Sequence, residues 1–270
     1  MSNLISTTET LAGRIASVRE RIVAATRRAG RRPGEVTLVA VSKTHGPEEV
    51  AAAYAAGLRF FGENRVEEAA PKTEAVARLV APAPPPAWHM IGHLQSRRAE
   101  DVLPWASMVH SVDSIKLAQR LSRFVTSPPF PLSYQERGAP LPSQGKPVLS
   151  VSKEGWGVGD LPILLEVNVS GEASKYGFHQ EDLPGAVEAI AALPGLALQG
   201  LMTMAPIATD PEEVRPVFAA LRALKDELAR RYPALDWRHL SMGMTDDFEV
   251  AIEEGATLVR VGRAIFGERP

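Results

Sequence analysis

Residues 36–43 read VTLVAVSK, an unbroken apolar run that ends in Ser42 and Lys43. The run is short, rich in β-branched residues and preceded by Pro33 and Gly34, which is typical of a strand buried on both faces in a parallel sheet. Lys43 then lies at the carboxyl end of that strand, where ligands and catalytic groups gather in α/β sheets. An amine held against apolar surface loses hydration, so its free base becomes available to attack a carbonyl carbon. A strand-end lysine that simply reaches solvent is the alternative.

The rest of the chain alternates strands with helices. A leading helix is predicted over residues 4–28, before the first strand, and Gly30 ends it. Seven further strands are predicted at 58–61, 88–91, 108–112, 163–169, 196–202, 237–240 and 257–261. Strands that alternate with helices in a chain close to the roughly 250 residues of that architecture favour an α/β fold of the (β/α)8 TIM barrel type. A doubly wound open sheet is the alternative.

The alternation is interrupted before the fifth strand. Residues 126–160 are rich in proline, poor in aliphatic side chains and end in the glycine-spaced segment GWGVG at 155–159. Such a stretch cannot bury enough apolar surface to become ordered. We therefore expect one domain over residues 1–270 with an inserted flexible loop at about 126–160. GWGVG precedes a strand and lacks the G-x-G-x-x-G order, so it does not indicate a dinucleotide site.

Composition excludes several classes of function. The formal charge of -2 and the pI near 6.3 give no indication that the protein binds nucleic acid or an anionic membrane. The chain has no cysteine, which removes disulfides, thiolate nucleophiles and sulfur-ligated metals, and we expect a cytoplasmic protein. No segment has eighteen consecutive apolar residues. His89 and His93 fall on a strand and its loop, without the helical spacing of an H-E-x-x-H metal site, so no metal is expected.

Polar residues gather where the predicted strands end. They are Lys43, Glu63, Asn64, Asn168, Thr203, Ser241 and Arg260. On a barrel these positions all face one mouth. Their common edge favours a functional role for Lys43 over a solvated lysine.

The last two strands end in segments suited to an anion. A phosphate site on a barrel is often built from the loops after strands seven and eight, where backbone N–H groups point at the ligand. Residues 241–243 (SMG) and the pair Gly262 and Arg263 supply small residues, a hydroxyl and a cation there. Arg260 lies within the apolar run VRVG, and a buried arginine is seldom left unpaired. It therefore has either a carboxylate partner or a ligand.

A lysine amine opposite a phosphate site, with an arginine between them, suits pyridoxal 5'-phosphate (PLP). The amine condenses with the aldehyde, and the arginine faces the pyridine nitrogen. Because a guanidinium is effectively always protonated, it should keep that nitrogen unprotonated and weaken the ring as an electron sink. Chemistry of the aminotransferase kind is then not expected.

With these residues in view, the sequence resembles the PLP homeostasis proteins, single-domain relatives of the alanine racemase N-terminal barrel. The resemblance covers nearly the whole chain outside the insertion. It is carried by VAVSKTH, FGENRVEE, WHMIGHLQS, HSVDS, EVNVSGEASKYGF, GLMTMAP, LSMGMTDDFEVAI and VRVGRAIFGER.

The resemblance implies a set of cofactor-binding residues: Lys43, Asn64, Ser241, Arg260, Gly262 and Arg263. Within it, Lys43 would form the Schiff base, Arg260 would face the pyridine nitrogen and Asn64 would line the pocket. Many relatives have a small hydroxyl residue in place of Arg263. The resemblance thus implies either that this arginine contacts the phosphate or that the phosphate rests on backbone groups alone. A second departure is Arg97 and Arg98, where an Asn-Lys pair is common.

The implied function is a PLP carrier or regulator without catalytic residues, which acts in PLP homeostasis and affects amino-acid and keto-acid balance. Apo PLP-dependent enzymes are the possible partners. Two-base racemases of the related barrel use a base from a second domain of a partner subunit, and only eight residues follow Gly262, so we expect a monomer without that domain. A PLP-dependent amino-acid racemase is the alternative. A cofactor-free Schiff-base aldolase would leave Arg260 and the phosphate residues unexplained.

Overall fold

The computed structural model describes residues 10–126, 160–172 and 176–268. Eight strands in them pair in chain order, all parallel, into a closed barrel. The strands are β1 (Thr37–Val41), β2 (Phe60–Glu63), β3 (Ala87–Met90), β4 (Met108–Val112), β5 (Leu161–Glu166), β6 (Leu196–Met202), β7 (His239–Ser241) and β8 (Leu258–Val261). The first strand pairs with the last, from Thr37 beside Leu258 to Ala40 beside Val261. This closure confirms the barrel over the open sheet.

Helices follow the strands around the outside of the barrel. They are α1 (Leu11–Arg28), α2 (Pro47–Ala55), α3 (Val66–Val80), α4 (Ala99–Val102), α5 (Ile115–Thr126), α6 (Leu183–Ala191), α7 (Arg215–Arg231), α8 (Phe248–Glu253) and α9 (Arg263–Phe266). Helix α1 is the predicted leading helix, and residues 4–9 of that prediction lie outside the described residues. The predicted insertion at 126–160 also lies outside them, except for its two end residues, and stays a prediction.

The leading helix is attached to the barrel through α8 and α9. Its apolar residues Ile15, Val18 and Ile22 are buried in the main core. On its polar face Arg28 bonds Glu253 at 2.7 Å and Glu249 at 2.9 Å. Helix α1 thus packs behind the segment that joins β7 to β8. Among the described helices, none is long and apolar enough to span a bilayer.

The interior of the barrel changes character along its axis. A small apolar cluster fills part of it, formed by Val39, Met108, Leu164, Met202 and Leu258. Two residues further along three of these strands stand His110, Glu166 and Arg260, all buried. Because side chains two apart on a strand face the same side, these polar groups also face inward. The barrel is therefore apolar at one level and polar at the next, toward the carboxyl ends of the strands.

Candidate functional site

Lys43 lies at the mouth of the barrel, two residues beyond the end of β1, and is half-buried. The next residue, Thr44, has φ +68°, the one positive φ of a non-glycine residue in the described part of the chain. A β-branched residue seldom adopts this left-handed conformation, and such strained positions cluster at functional sites. The sharp turn after Lys43 is thus a local sign of a functional position, independent of the strand pattern.

Asn64 lies beside Lys43 on the neighbouring strand end. Val41 pairs with Gly62, so Lys43 and Asn64, each two residues further on, leave the barrel at the same level. The Asn64 Oδ1 atom is buried and has no hydrogen-bond partner among the described residues. A Cβ atom at Gly92 would lie 2.4 Å from the Asn64 carbonyl oxygen, so only glycine allows this approach of the segment after β3. An unsatisfied buried acceptor is costly, and a ligand that donates a hydrogen bond would satisfy it.

Arg260 of β8 is almost fully buried and forms no ion pair with the described residues. Its Nη1 donates to the Ser241 hydroxyl at 2.6 Å, and its Nη2 donates to the Thr203 carbonyl at 3.0 Å and contacts Met204 Sδ at 3.5 Å. Burial lowers the pKa of Arg260 to about 10, partly offset by the negative charges of Glu166 and Asp247. The guanidinium is therefore charged at neutral pH. The sequence analysis left two possible partners for Arg260, a carboxylate or a ligand. In the described part of the chain, no carboxylate bonds this arginine directly.

A chain of buried polar groups runs from Arg260 across the interior of the barrel. The Ser241 hydroxyl lies 2.8 Å from His110 Nδ1, and His110 Nε2 lies 2.9 Å from His89 Nδ1. Burial is the main cause that lowers the pKa of His110 well below its ordinary value and that of His89 to about 3, so both rings are neutral. A guanidinium only donates, so Ser241 accepts from Arg260 and donates to His110, which donates to His89.

Sequence reasoning missed this chain. The sequence pattern does not predict it, since a strand buried on both faces does not reveal which of its residues point into the barrel. A usable signal was the position of His110 two residues after Met108, and of Arg260 two residues after Leu258. The assignment of Ser241 to a phosphate site stays a prediction, and the observed partners of its hydroxyl are Arg260 and His110.

The loops after β7 and β8 are joined by Arg263. This half-exposed side chain bonds both carboxylate oxygens of Asp246, at 2.6 and 2.5 Å. Gly243 has φ +92°, and a Cβ atom there would lie 2.6 Å from the Ala251 Cβ. Gly262 precedes α9 and its carbonyl accepts from Ile265 and Phe266. Arg263 therefore links the segment after β8 to the loop after β7, and its guanidinium is engaged by a carboxylate.

Other polar groups at the strand ends serve different purposes. Thr203 donates to the Val167 carbonyl at 2.8 Å, and the Asn168 side chain bonds Gly171 and Glu172 of its own loop. Glu166 is buried near Arg260, and its Oε2 has no hydrogen-bond partner among the described residues. Burial, followed by the charge of Asp113, raises the pKa of Glu166 to about 7. This carboxyl group can gain or lose a proton near neutral pH.

A cleft of about 690 Å³ lies at the same mouth, beside the predicted site. His93 stacks on Tyr176 with 3.7 Å between ring centroids and bonds Asp113 at 3.0 Å. Arg97 also lines the cleft, whereas none of the six predicted cofactor residues does. The described residues contain no group of three or more His, Asp or Glu side chains placed to hold a metal ion.

Comparison with known proteins defines the class of this barrel. The sequence profile described as "Alanine racemase, N-terminal domain" matches residues 14–270. An alanine racemase from Corynebacterium glutamicum shares the fold at 17% identity, with a TM-score of 0.58 over 94% of this chain and 62% of that chain.

Nearer relatives define the family. The chain is 42% identical to the pyridoxal phosphate homeostasis protein of Pseudomonas aeruginosa and 39% identical to that of Aquifex aeolicus; the aligned parts cover 96% and 95% of this chain and 96% and 97% of those proteins. The structure of PipY from Synechococcus elongatus with PLP bound is similar at 31% identity and a TM-score of 0.74, over 96% of this chain and 100% of that chain. The chain belongs to the family of pyridoxal phosphate homeostasis proteins.

Proposed function

We propose that this protein binds PLP at the mouth of its barrel, as a Schiff base with Lys43, and acts as a carrier or regulator in PLP homeostasis. The observation that carries the proposal is the buried guanidinium of Arg260, which is held by a hydroxyl, a carbonyl and a thioether and has no ion-pair partner among the described residues. Such a group suits a ligand that presents an acceptor. The family membership and the PLP-bound PipY structure support the choice of PLP.

The residues at the mouth fit the parts of the cofactor. Bound PLP supplies an aldehyde that condenses with an amine and a ring that withdraws electrons. Lys43 offers the amine, Arg260 holds a positive charge toward the pyridine nitrogen, and Asn64 Oδ1 offers a free acceptor. Ser241 ends β7, and Gly262 and Arg263 directly follow β8, so all three border the two loops proposed for the phosphate. Since Asp246 already engages Arg263, the backbone groups of these loops are the more suitable phosphate donors.

The proposed role is binding without turnover. The pKa of Arg260, about 10, keeps the guanidinium charged at neutral pH, and beside the ring nitrogen this charge disfavours protonation of that nitrogen. A ring with an unprotonated nitrogen stabilises a carbanion poorly, which opposes amino-acid chemistry. We also propose that the protein is cytoplasmic and monomeric and that it transfers PLP to apo-enzymes. The absence of cysteine is consistent with that compartment.

One observation favours the alternative, a PLP-dependent amino-acid racemase. Glu166 is a buried carboxyl group at the mouth, with a pKa of about 7 and an unpartnered oxygen, as a general base requires. Proton NMR in deuterium oxide would detect exchange of the α-hydrogen of added amino acids. Exchange that needs both Lys43 and Glu166 would establish turnover and contradict the carrier proposal.

The direct test of the proposed function is the absorbance spectrum of the purified protein with PLP, before and after borohydride, beside Lys43→Ala. We expect an imine band that borohydride converts to a stable adduct, mapped to Lys43 by peptide mass spectrometry and lost in the variant. Lys225→Ala is the matched control, because Lys225 lies on α7 and pairs with Asp226. A protein that takes up no PLP, or an adduct elsewhere that persists in Lys43→Ala, would overturn the proposal.

A further inference from the structure

A buried polar cluster lies on the outer side of the barrel wall, behind Lys43. It consists of Ser42, Glu63 and Lys72, which are all buried. Lys72 of α3 donates to the Ser42 carbonyl and to Glu63 Oε1, both at 2.8 Å, and the Ser42 hydroxyl donates to the same Glu63 oxygen at 2.7 Å. Helix α3 and the strands β1 and β2 are thereby joined through one lysine.

The cluster lies on the side of the wall that faces the helices. A Cβ atom at Gly62 would point at Val39 and Ile91, and Val39 belongs to the apolar cluster inside the barrel. Because side chains alternate along a strand, the next residue, Glu63, points to the opposite side, where it meets Lys72. Lys72 is therefore separated from the mouth by the wall and cannot itself be the amine that meets a ligand there.

Stability alone does not explain this cluster. A buried ion pair loses hydration, and apolar residues of similar volume often stabilise a fold as well or better. Burial raises the pKa of Glu63, and the charge of Lys72 opposes that shift. The other carboxylate oxygen, Oε2, has no hydrogen-bond partner among the described residues. The arrangement thus keeps a costly group in a place where a hydrophobic contact would be simpler.

The position of this buried cluster in the sequence indicates its role. Ser42 immediately precedes Lys43, and Glu63 immediately precedes Asn64. Lys43 and Asn64 are the proposed cofactor residues at the ends of the neighbouring strands β1 and β2. The carbonyl that Lys72 holds belongs to the peptide group whose N–H is that of Lys43. On the other side of Lys43, Thr44 makes the turn with positive φ. The backbone of Lys43 is therefore fixed from both sides.

We propose that Lys72 is a positioning residue, which fixes the Ser42 peptide group and the Glu63 side chain so that Lys43 and Asn64 are presented together at the mouth. This inference rests on the proposed function and names the device that orients its amine. A side chain that attacks a carbonyl carbon must be held near its reacting geometry, and displacement by about 1 Å can cost two orders of magnitude in rate. Lys72 acts through the backbone and does not touch the ligand.

The test compares Lys72→Met with Val76→Ala. Val76 is fully buried one turn further along α3, so its truncation weakens the same helix without contact to Ser42. Two rates are measured at a temperature where urea unfolding shows each variant to be folded. One is the rate of Schiff-base formation with PLP, followed by absorbance and by borohydride trapping. The other is the rate of acetylation of Lys43 by acetic anhydride without PLP, read by mass spectrometry.

We expect Lys72→Met to slow Schiff-base formation by about tenfold and to change the acetylation rate of Lys43, with Val76→Ala unchanged in both. Equal behaviour of the two variants in both measurements would overturn the inference. If Lys72→Met does not fold because Glu63 is left without its cation, the double variant Lys72→Met with Glu63→Gln removes both charges and should show the same slow rate. A wild-type protein without a Schiff base would contradict the proposed function, whereas the acetylation of Lys43 would still test Lys72.

Discussion

Arg260 Nη1 donates a 2.6 Å hydrogen bond to the Ser241 hydroxyl, and that hydroxyl connects the guanidinium to His110 at 2.8 Å. The two residues lie on the neighbouring strands β7 and β8. A buried cation is usually held by a carboxylate, but here its nearest side-chain partners are neutral. The arrangement orients the guanidinium without cancelling its charge, which is what a group that repels protonation of a ring nitrogen requires.

Ser241→Ala separates two roles for this hydroxyl. If Ser241 acts through Arg260, the variant should weaken binding of both PLP and pyridoxal, which lacks the phosphate. If it donates to the phosphate, only PLP binding should weaken. We expect the first result, because the hydroxyl has two partners inside the barrel. Equilibrium titration by absorbance measures both affinities.

The same substitution has a cost in stability. It leaves Arg260 Nη1 and His110 Nδ1 without their shared partner in the interior, and an unsatisfied buried group costs about 1–3 kcal/mol. Urea unfolding measures this loss. Ser114→Ala is a suitable control, since Ser114 is partly exposed and caps α5 through the Leu117 N–H. A loss in Ser241→Ala no larger than in the control would contradict the proposed chain of hydrogen bonds.

The fold was predictable from the sequence because short apolar runs mark most of the strands and alternate along the chain with helical segments. The chain of hydrogen bonds from Arg260 to His89 could not be predicted, for a physical reason. In a parallel barrel both faces of a strand are buried, so the pattern around His89 and His110 does not tell which side points inward. The carboxylate partner of Arg263 could not be predicted either, because the sequence does not show which of several carboxylates an exposed arginine will meet. The positions of Lys43, Asn64 and Arg260 could be predicted because strand ends fix the mouth.

The buried histidines should make the protein sensitive to acid. Burial lowers the pKa of His89 to about 3, whereas the unfolded chain has an ordinary value near 6.5. Between these values the unfolded state binds a proton that the folded state does not, so stability is complete above about pH 6.5 and falls as the pH drops toward 3. The slope contributed by one such histidine is about 1.4 kcal/mol per pH unit.

His89→Gln should remove that contribution. The glutamine carbonyl can still accept from His110 Nε2, but it does not titrate. We expect the free energy of unfolding, measured in urea from pH 7 to pH 5, to fall less steeply in the variant than in the wild type. Parallel slopes in the two proteins would show that His89 is protonated as easily in the folded state as in the unfolded chain.

Glu166 should have the opposite effect on the pH dependence of stability: its contribution should decrease as the pH rises. Its pKa is raised from 4.5 to about 7 in the folded protein, so the folded state binds the extra proton between these values. The corresponding stability is present below about pH 4.5 and is lost as the pH rises through 7. Glu166→Gln removes this loss, and the variant should therefore gain stability relative to the wild type at pH 8 compared with pH 5. Urea unfolding at the two values measures the difference, and Glu188→Gln on the surface of α6 is the control, with no relative gain expected.

Gly243 and Gly267 form a matched pair for testing how closely the loop after β7 approaches α8. Both have a positive φ, +92° and +95°, so alanine is strained at either position. At Gly267 a Cβ atom meets nothing within 4 Å, whereas at Gly243 it would lie 2.6 Å from the Ala251 Cβ and 2.9 Å from the Phe248 Cα. Gly267→Ala should thus cost about 1 kcal/mol through φ alone. Gly243→Ala should cost about 1–3 kcal/mol more, because α8 must move.

The displacement caused by Gly243→Ala should reach the proposed phosphate site. Met244 and Asp247 lie between Gly243 and α8, and the Met244 N–H donates to the Asp247 carboxylate. A shift of α8 changes this turn and the Asp246 carboxylate that holds Arg263. We expect Gly243→Ala to weaken PLP binding more than pyridoxal binding, and Gly267→Ala to weaken neither. Both affinities are measured without urea, at a temperature where each variant is folded. Equal stabilities of the two variants would mean that the loop after β7 has more room than the structure shows, and equal losses for both ligands would place the phosphate away from it.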